Sequence, residues 1–254
     1  MKTSEIKTPI SQAKEQGMCA KTMVLVAAVL AALGCALGSA QAVTWNAATD
    51  FSATNPSGQW SYGFTIYSGG VPDASGTYLL NNAYAPNEFG GAVDMWYRND
   101  VGGIEPNVTH NHSADEVTLY GITWGPGAVG LASRGSYQYL SELRWTAPAT
   151  GSYDLAATFS GMQSTGGADV YIYRNGTQLM TGTAGKLGDP GVSFSQNGLA
   201  MTAGDTLMYI VGTNGATGAT NYVQLGATIS DAPIPEPAML TLLGLGALLL
   251  RRRK

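Results

Sequence analysis

Charged residues are scarce in this chain of 254 residues. Asp, Glu, Lys and Arg together make up 12% of it, whereas an average soluble protein has about 25%. A coiled coil, a helical bundle or a charged disordered tail would need more charge, so the composition excludes these classes. The interior also lacks any apolar run close to the ~20 residues that cross a bilayer as a helix, which excludes a multi-span membrane protein.

Cysteine is absent from the central part of the chain. The two cysteines, Cys19 and Cys35, both lie among the first 42 residues. Residues 43–230 therefore cannot hold a thiolate nucleophile, a zinc–thiolate site or an iron–sulfur cluster. Disulfides cannot stabilise this part of the chain either, so its stability must come from core size, sheet hydrogen bonds or a bound ion.

Signatures of common enzymes and of nucleic-acid binding are also missing. There is no Gly-x-Ser-x-Gly elbow, phosphate-binding loop or dinucleotide fingerprint. Residues 43–230 carry five basic and thirteen acidic residues, a net charge of −8, and no basic stripe that would contact phosphates. We therefore expect no catalytic residues and no nucleic-acid partner.

The first 42 residues have the organisation of a secretory signal peptide. Lys21 precedes an apolar stretch that begins at Met23, and Ala40 and Ala42 form a small-residue cleavage site. We expect a signal helix that the Sec export machinery recognises, with cleavage after Ala42. Met18 is an alternative start, because the segment from there to the cleavage site has ordinary signal-peptide length.

The last 24 residues combine a proline-rich spacer, an apolar run and a basic end. The Pro235-Glu236-Pro237 segment cannot continue a helix or a sheet ladder. Residues 238–250 form an uncharged run that would span about 20 Å as a helix, less than the ~30 Å hydrocarbon core. The candidate membrane-anchoring and stop-transfer residues are Leu240, Leu242, Leu243, Leu245, Arg251, Arg252 and Arg253.

This order of parts resembles the PEP-CTERM sorting signal of Gram-negative bacteria. The resemblance covers residues 231–254 and rests on the Pro-Glu-Pro motif, the Leu-rich run and the terminal Arg cluster. It implies handling by an exosortase, anchoring in the inner membrane through a short transmembrane helix, and delivery to the cell surface or extracellular matrix. It leaves open whether the tail is cut or retained.

Two-residue periodicity dominates residues 43–230, between the two terminal segments. Apolar and polar side chains alternate, which is typical of strands with one buried and one wet face. Thr206–Val211 is apolar on both faces and is predicted to be a central strand. The alternating segments are 60–66, 143–147, 153–159 and 223–229.

The turn signals complete the prediction of an all-β fold. Asn175-Gly176 lies between two apolar runs and predicts a hairpin with a two-residue turn. About ten to twelve short antiparallel strands at this spacing indicate one continuous β-sandwich or jelly roll. The W-x-A-P-x-x-G-x-Y pattern at 145–153 and the A-G-D-T pattern at 203–206 resemble carbohydrate-binding-module-like jelly rolls, which implies a fold that serves sugar binding, adhesion or structural roles.

Tryptophans are the candidate residues for stacking on a glycan. Trp96 and Trp124 lie near turns rich in Gly and Asn, which makes them the better candidates for an exposed platform. Trp60 and Trp145 lie on the apolar side of alternating strands and are predicted to be core residues. Packing of the rings inside the sandwich is nevertheless favoured over a platform, because large aromatic residues dominate sandwich cores.

Metal binding has two candidate sets. His110 and His112 with neighbouring carboxylates could form a metal site, but residues 107–113 are polar and rich in turn formers, so we expect a solvated loop and no metal. A structural Ca²⁺ is left open. Asp189 and Asp205 are predicted to cap turns. The acidic residues considered for Ca²⁺ are Asp94, Asp100, Glu105, Asp115 and Glu116.

We therefore expect an exported, non-enzymatic β-sandwich with a structural or adhesive role in the cell surface or biofilm matrix. The alternative is a carbohydrate-binding module for exopolysaccharide, and a glycan-active enzyme, which needs two facing carboxylates in a cleft, is third. Two exposed aromatic rings within one sugar unit of each other would favour binding. A smooth face of Ser, Thr and Gly would favour the structural role.

Overall fold

The computed structural model describes residues 42–67, 72, 77–100, 102–134, 139–213 and 221–231, all within one unit that begins at Ala42. No helix in these ranges is long and apolar enough to span a bilayer. The predictions for signal cleavage at Ala40, for the sorting motif and for the membrane anchor concern residues outside these ranges. These residues are Ala40, Pro235-Glu236-Pro237, the leucines from Leu240 to Leu245, and Arg251 to Arg253.

Sixteen strands and one helical turn make up the regular structure of the described residues. The strands are β1 (Thr44–Asn46), β2 (Trp60–Ile66), β3 (Thr77–Leu80), β4 (Ala83–Asn87), β5 (Val93–Tyr97), β6 (Asn107–Asn111), β7 (Val117–Leu119), β8 (Ile122–Trp124), β9 (Val129–Ala132), β10 (Tyr139–Thr146), β11 (Gly151–Gly161), β12 (Ala168–Arg174), β13 (Thr177–Ala184), β14 (Val192–Met201), β15 (Thr206–Val211) and β16 (Tyr222–Asp231). The helical turn, α1, spans Glu88–Gly91.

The strands form two antiparallel sheets that pack face to face. Sheet A has eight strands in the order β14-β11-β16-β9-β6-β5-β4, with β1 added beside β16, and sheet B has six in the order β13-β12-β15-β10-β2-β3. A separate hairpin pairs β7 with β8. Strands from both halves of the chain occur in both sheets, so the predicted single β-sandwich is confirmed.

One apolar cluster fills the space between the two sheets. Trp60 and Trp145 lie in it, and each exposes 2% or less of its surface, as the alternating pattern predicted. The Trp145 ring contacts Trp45 and Tyr153 with ring centroids 5.3 and 5.2 Å apart, both in edge-on geometry. Aromatic pairs of this kind contribute about 0.5–1.5 kcal/mol beyond burial.

Two local predictions are confirmed, and the predicted number of strands is too low. Thr206–Val211 is β15, paired on both sides by β10 and β12. Asn175 and Gly176 turn the β12–β13 hairpin with φ of 47° and 80°. The described residues contain sixteen strands, more than predicted, because five of them have only three or four residues, too few to show a periodic pattern.

The segment predicted as a solvated loop is a buried strand. Residues 107–111 form β6, paired with β5 and β9. Its residues Asn107, Thr109 and Asn111 are completely buried. Their side chains form hydrogen bonds inside the protein, which offsets most of the cost that normally keeps such groups in water, although Asn107 Oδ1 has no partner among the described residues. A polar sequence is therefore compatible with this interior position.

One buried hydroxyl offers a direct stability prediction. The Tyr209 hydroxyl is buried and has no hydrogen-bond partner among the described residues, whereas the Tyr62 hydroxyl accepts a hydrogen bond from the Ser52 backbone N–H at 3.0 Å. We expect Tyr209→Phe to raise the free energy of unfolding by about 1 kcal/mol and Tyr62→Phe to lower it by about 1 kcal/mol. Urea denaturation would measure both, and equal losses in the two variants would contradict the prediction.

Candidate functional site

Both candidate platform residues are buried, in agreement with the favoured core packing and not with a platform. Trp124 is completely buried and Trp96 exposes 8% of its surface. The Trp96 ring is stacked 6.2 Å from Tyr62, and its Nε1–H donates to the Ser52 carbonyl at 2.8 Å. The Trp124 Nε1–H donates to Thr109 Oγ1 at 3.0 Å. Each indole thus places its apolar body in a core and satisfies its only donor there.

The β7–β8 hairpin is amphipathic and packs on a second apolar cluster beside sheet A. Ile122 and Trp124 are buried in this cluster together with Val93 and Tyr222. The paired threonines Thr118 and Thr123 lie on the other side of the hairpin, and their hydroxyls are 3.0 Å apart in an exposed hydrogen bond. The hairpin therefore has one face in the core and one face in water.

Strand β6 anchors the hairpin at both ends. Asn111 Nδ2 lies within hydrogen-bond distance of the carbonyl oxygens of Asp115 (2.8 Å), Trp124 (3.3 Å) and Gly125 (2.9 Å). Asp115 precedes β7 and Gly125 follows β8, so one buried amide group ties the two ends of the hairpin to sheet A. This contact fixes where the tip of the hairpin stands.

The tip of the hairpin carries an exposed aromatic ring. Tyr120 is 82% exposed, and it forms the turn with Gly121, with φ of 52° and 76°. The same turn geometry is made elsewhere by Asn175-Gly176. Asn and Gly accept a left-handed backbone easily, whereas a Tyr there costs on the order of 1–2 kcal/mol. Strain of this kind tends to concentrate where a protein binds something.

A second aromatic ring stands beside Tyr120 on α1. Phe89 also has a left-handed backbone, with φ of 47°. Its ring centroid lies 6.5 Å from that of Tyr120, nearly perpendicular at 79°, and 4.8 Å from Trp124 beneath it. We name the Phe89 and Tyr120 pair the aromatic corner. It is half-buried on the Phe89 side and open on the Tyr120 side.

Asp94 and His112 hold α1 against the sheet. The Asp94 carboxylate accepts a hydrogen bond from the Asn87 backbone N–H at 3.1 Å, just before α1, and lies 3.3 Å from His112 Nδ1. The His112 backbone N–H donates to the Ala92 carbonyl at 3.0 Å, just after α1. The Asp94 carboxylate also acts on Tyr84. Burial, together with the Asp94 charge, raises the pKa of Tyr84 to about 12. Both rings of the aromatic corner thus stand on elements fixed to β5 and β6.

The histidines are not gathered with carboxylates into a metal site. His110 lies in β6, where its ring stacks on Phe51 at 4.8 Å, and burial lowers its pKa below the usual value. Within the described residues no three His, Cys, Asp or Glu side chains come together to hold a metal ion. Of the five acidic residues considered for Ca²⁺, Asp100 pairs with Arg98 and Asp94 lies beside His112.

The turn-capping predictions are confirmed. The Asp189 carboxylate accepts a hydrogen bond from the Lys186 N–H at 3.1 Å, and the Asp205 carboxylate accepts one from the Thr202 N–H at 2.9 Å. The pKa of Asp205 is held below its usual range, mainly by the hydrogen bond from Thr202 and to a smaller extent by those from Asn175 and Arg174.

A separate groove of about 430 Å³ lies on sheet A over β11, β14 and β16. Along these strands, every second side chain lies on the opposite face of the sheet and packs in the core, as Ala157 does. The lining carries four hydroxyl groups and one aromatic ring, that of Phe194, which packs against the core cluster. The lining residues are Ala156, Ala157, Thr158, Ser193, Phe194, Ser195, Gly226 and Thr228.

The outer face of sheet B carries a buried ion pair that belongs to the scaffold. Glu142 is completely buried, accepts a hydrogen bond from Arg144 Nε at 2.8 Å and another from the Thr65 hydroxyl. The Arg144 guanidinium lies 3.7 Å above the Tyr78 ring centroid. Burial raises the pKa of Glu142. Among the described residues, the groups that act on the Glu142 carboxylate are Arg144 and Thr65.

The aromatic corner was missed from the sequence, although a signal for part of it exists. Tyr120-Gly121 separates Val117–Leu119 from Ile122–Trp124, two short segments in which Thr lies between apolar residues, with the spacing of a two-residue hairpin. Phe89 has no comparable signal, because its place beside Tyr120 depends on the packing of α1 against β7.

No family model and no curated protein matches the chain, but solved structures do. The CBM22-1 xylan-binding domain from Paenibacillus barcinonensis Xyn10C has 12% identity and a TM-score of 0.34, covering 60% of this chain and 94% of that chain. TmCBM61 in complex with β-1,4-galactotriose has 11% identity and a TM-score of 0.31, covering 59% and 88%. An arabinose-bound MgGH51 α-L-arabinofuranosidase has 6% identity and a TM-score of 0.30, covering 41% of this chain and 19% of that chain. Carbohydrate-binding modules are thus among the similar structures, at a distance that assigns neither family nor ligand.

Proposed function

We propose that this protein is a non-catalytic β-sandwich that binds polysaccharide through the aromatic corner. The observation that carries the proposal is Tyr120, which is 82% exposed in a left-handed turn. Stability alone does not favour this residue there, since Asn or Gly would remove the backbone strain. A binding role explains why a large aromatic ring is exposed to water at this position despite the backbone strain.

The geometry of the corner suits a sugar. The apolar face of a pyranose ring stacks on an aromatic ring, and a second ring set nearly perpendicular to the first forms a wall beside it. Tyr120 and Phe89 provide such a pair at 6.5 Å. The hydroxyls of Thr118 and Thr123, exposed on the same hairpin, offer hydrogen-bond partners to sugar hydroxyls.

Anchoring of both rings supports binding by a preformed site. Asn111 fixes the hairpin, and Asp94 and His112 fix α1. A ligand would therefore not have to order these elements, which keeps the entropic cost of association low. A weak ligand such as a single sugar unit depends strongly on such preorganisation.

Substitution of Tyr120 separates binding from stability. We expect Tyr120→Ala to weaken polysaccharide binding about ten-fold, since a stacked aromatic contact contributes roughly 1 kcal/mol or more. Tyr120→Phe should retain most of the affinity. Tyr120→Asn should lose affinity while gaining about 1 kcal/mol of stability, because Asn accepts the left-handed turn. Affinity electrophoresis in gels containing xylan, galactan and acidic exopolysaccharide, with urea denaturation, would measure both quantities.

Thr158→Ala on the groove floor is the matched control. It removes one hydroxyl from the groove and leaves the aromatic corner intact, so we expect unchanged affinity. Loss of affinity in Thr158→Ala with none in Tyr120→Ala would move the site to the groove. Retention of full affinity by Tyr120→Ala would refute the role of the corner.

A structural or adhesive role is the second candidate, and the groove floor favours it. The face of sheet A at Thr158, Ser193 and Ser195 is exposed and rich in hydroxyls, and the one aromatic ring of the groove, Phe194, packs against the core. Absence of binding to any polysaccharide by the wild-type protein would leave this role as the better one.

We also propose that the protein is exported and sorted to the surface of a Gram-negative cell through its terminal segments. The proposal is supported by the signal-peptide pattern up to Ala42 and by the Pro235-Glu236-Pro237 motif with its apolar run and Arg cluster. Mass spectrometry of the surface fraction should find Val43 as the first residue. A full-length product in the cytosol would contradict it.

A further inference from the structure

Two Asn-Gly pairs among the described residues lie in different surroundings. Asn175-Gly176 forms the β12–β13 turn, and Asn197-Gly198 lies in β14. In such a pair the Gly nitrogen can attack the side-chain carbonyl carbon of the Asn, because Gly has no Cβ that would block the approach. The way in which the fold holds the amide group and the attacking N–H therefore decides how fast each pair reacts.

The amide group of Asn175 is held in place at the β12–β13 turn. Its Oδ1 accepts a hydrogen bond from the Thr206 backbone N–H at 2.7 Å, and the Asp205 carboxylate accepts one from the Asn175 side chain. Both ends of the amide are thus tied to the start of β15. Because the side-chain carbonyl carbon cannot turn freely towards the Gly176 nitrogen, we expect this pair to react slowly.

At Asn197-Gly198 the fold places a carboxylate on the attacking nitrogen. The two residues oppose the single residue Asp154 at the register shift between β14 and β11, so they form a β-bulge. Gly198 has a φ of 68°, which glycine adopts without strain. Its backbone N–H donates to Asp154 Oδ1 at 2.8 Å, and the neighbouring Asn197 is exposed. A carboxylate at this distance from a proton meets the geometric requirement for a general base.

We propose that Asn197 is a self-modification site, which is converted to aspartate and isoaspartate with Asp154 as the general base. The Gly198 nitrogen forms a bond to Asn197 Cγ and gives its proton to the Asp154 carboxylate. The Cγ–Nδ2 bond breaks and ammonia leaves with this proton, which restores the carboxylate and leaves a five-membered imide. Water then opens the imide at either of its two carbonyl carbons.

The conversion changes the charge and the backbone of the bulge. It adds one negative charge to residues 43–230, which already carry a net charge of −8, and the isoaspartate form lengthens the main chain by one methylene. Because the new carboxylate lies next to the Asp154 contact, we expect the modified protein to have a lower urea midpoint. The modification goes beyond polysaccharide binding and does not depend on it, since the aromatic corner lies on β7–β8 and α1.

Peptide mapping by mass spectrometry during incubation of the full-length protein at neutral pH is the test, with an isoaspartate methyltransferase assay as the second readout. We expect Asn197 to convert about ten-fold faster than Asn175, and Asp154→Asn to slow the conversion of Asn197 about ten-fold. Asp169→Asn is the matched control. It removes a carboxylate from β12 in sheet B and should leave the rate at Asn197 unchanged.

The pH profile and the unfolded protein separate base catalysis from a general effect on stability. Catalysis by a carboxylate makes the rate at Asn197 nearly independent of pH around neutrality, whereas the rate in Asp154→Asn should rise with hydroxide concentration. In guanidinium chloride the Asn175 and Asn197 pairs should react at similar rates in every variant. Equal rates at the two pairs in the folded protein, or an unchanged rate in Asp154→Asn, would overturn the proposal.

Discussion

Replacing Asn111 with alanine is expected to lower the free energy of unfolding by about 3 kcal/mol. The side chain is completely buried, and its amide nitrogen faces the carbonyl oxygens of Asp115, Trp124 and Gly125. A buried acceptor that loses its donor costs about 1–3 kcal/mol. The Trp124 contact is buried, whereas the Asp115 and Gly125 contacts are partly buried and the Gly125 carbonyl keeps the Ala128 N–H as a donor at 3.1 Å. Because these carbonyls flank the hairpin, its tip and Tyr120 should lose their fixed position as well. Urea denaturation gives the stability, and hydrogen exchange of residues 117–124 gives the local effect.

Asn111→Asp and Asn197→Ala sharpen this test. Asn111→Asp keeps an oxygen that can accept the Ser113 N–H, as Oδ1 does at 3.0 Å, but it has no amide donor, so we expect a loss as large as that of alanine. Asn197 is exposed in β14, and its replacement by alanine should change stability by less than about 0.5 kcal/mol. A stable Asn111→Asp protein would show that donation to the three carbonyls is not what holds the hairpin.

Replacing Arg144 with methionine should destabilise the protein by about 3–5 kcal/mol. Glu142 is completely buried, and removal of its 2.8 Å partner leaves a buried charge uncompensated. The contact between the guanidinium and the Tyr78 ring is lost as well. Methionine keeps much of the apolar stem, so the loss reports mainly on the charge. Denaturation in urea at pH 7 would measure it.

The pH dependence of Arg144→Met identifies Glu142 as the cause. Burial raises the pKa of Glu142 above its ordinary value of 4.5, so the folded state holds this proton more tightly than the unfolded state. Stability from this group is therefore fully present below pH 4.5 and is lost as the pH rises through the folded-state pKa. We expect the cost of Arg144→Met to shrink as the pH falls towards 4.5. The double variant Glu142→Gln, Arg144→Met should lack this dependence, and a cost independent of pH in the single variant would contradict the explanation.

The sandwich itself could be predicted from local patterns. Alternation along β2 and β16, the doubly apolar β15 and the Asn175-Gly176 turn are all short-range signals, and each was confirmed. They succeed because a half-buried strand must place its apolar side chains at every second position. Strands of three or four residues carry too few positions to show this.

The polar strand β6 could not be predicted because its burial depends on distant partners. Asn107 donates to the Tyr222 hydroxyl at 2.9 Å, 115 positions away in the chain, and Thr109 accepts from Trp124. A sequence reading that assigns polar residues to solvent fails where tertiary hydrogen bonds replace water. For the same reason Trp124, which lies among turn residues, is a core residue.

The candidate site was only partly accessible from the sequence. Glycans stack on aromatic rings, and this preference made Trp96 and Trp124 the candidate residues. The ring that is exposed in the structure is that of Tyr120. The large indole rings fill the core. The aromatic corner is formed by the smaller rings of Phe89 and Tyr120, which lie on tight turns, and tertiary packing brings these two turns together. The two-residue spacing at Tyr120-Gly121 was the one local signal that pointed there.

An NMR titration of the aromatic rings tests the role of the corner most directly. Aromatic ¹H–¹³C spectra of the full-length chain would be followed during addition of xylan-, galactan- and exopolysaccharide-derived oligosaccharides. We predict saturable shifts of the Tyr120 and Phe89 ring signals, with the Phe194 ring beneath the groove unaffected. Saturable binding that moves Phe194 and leaves Tyr120 unchanged would contradict the assignment of the polysaccharide site to the aromatic corner.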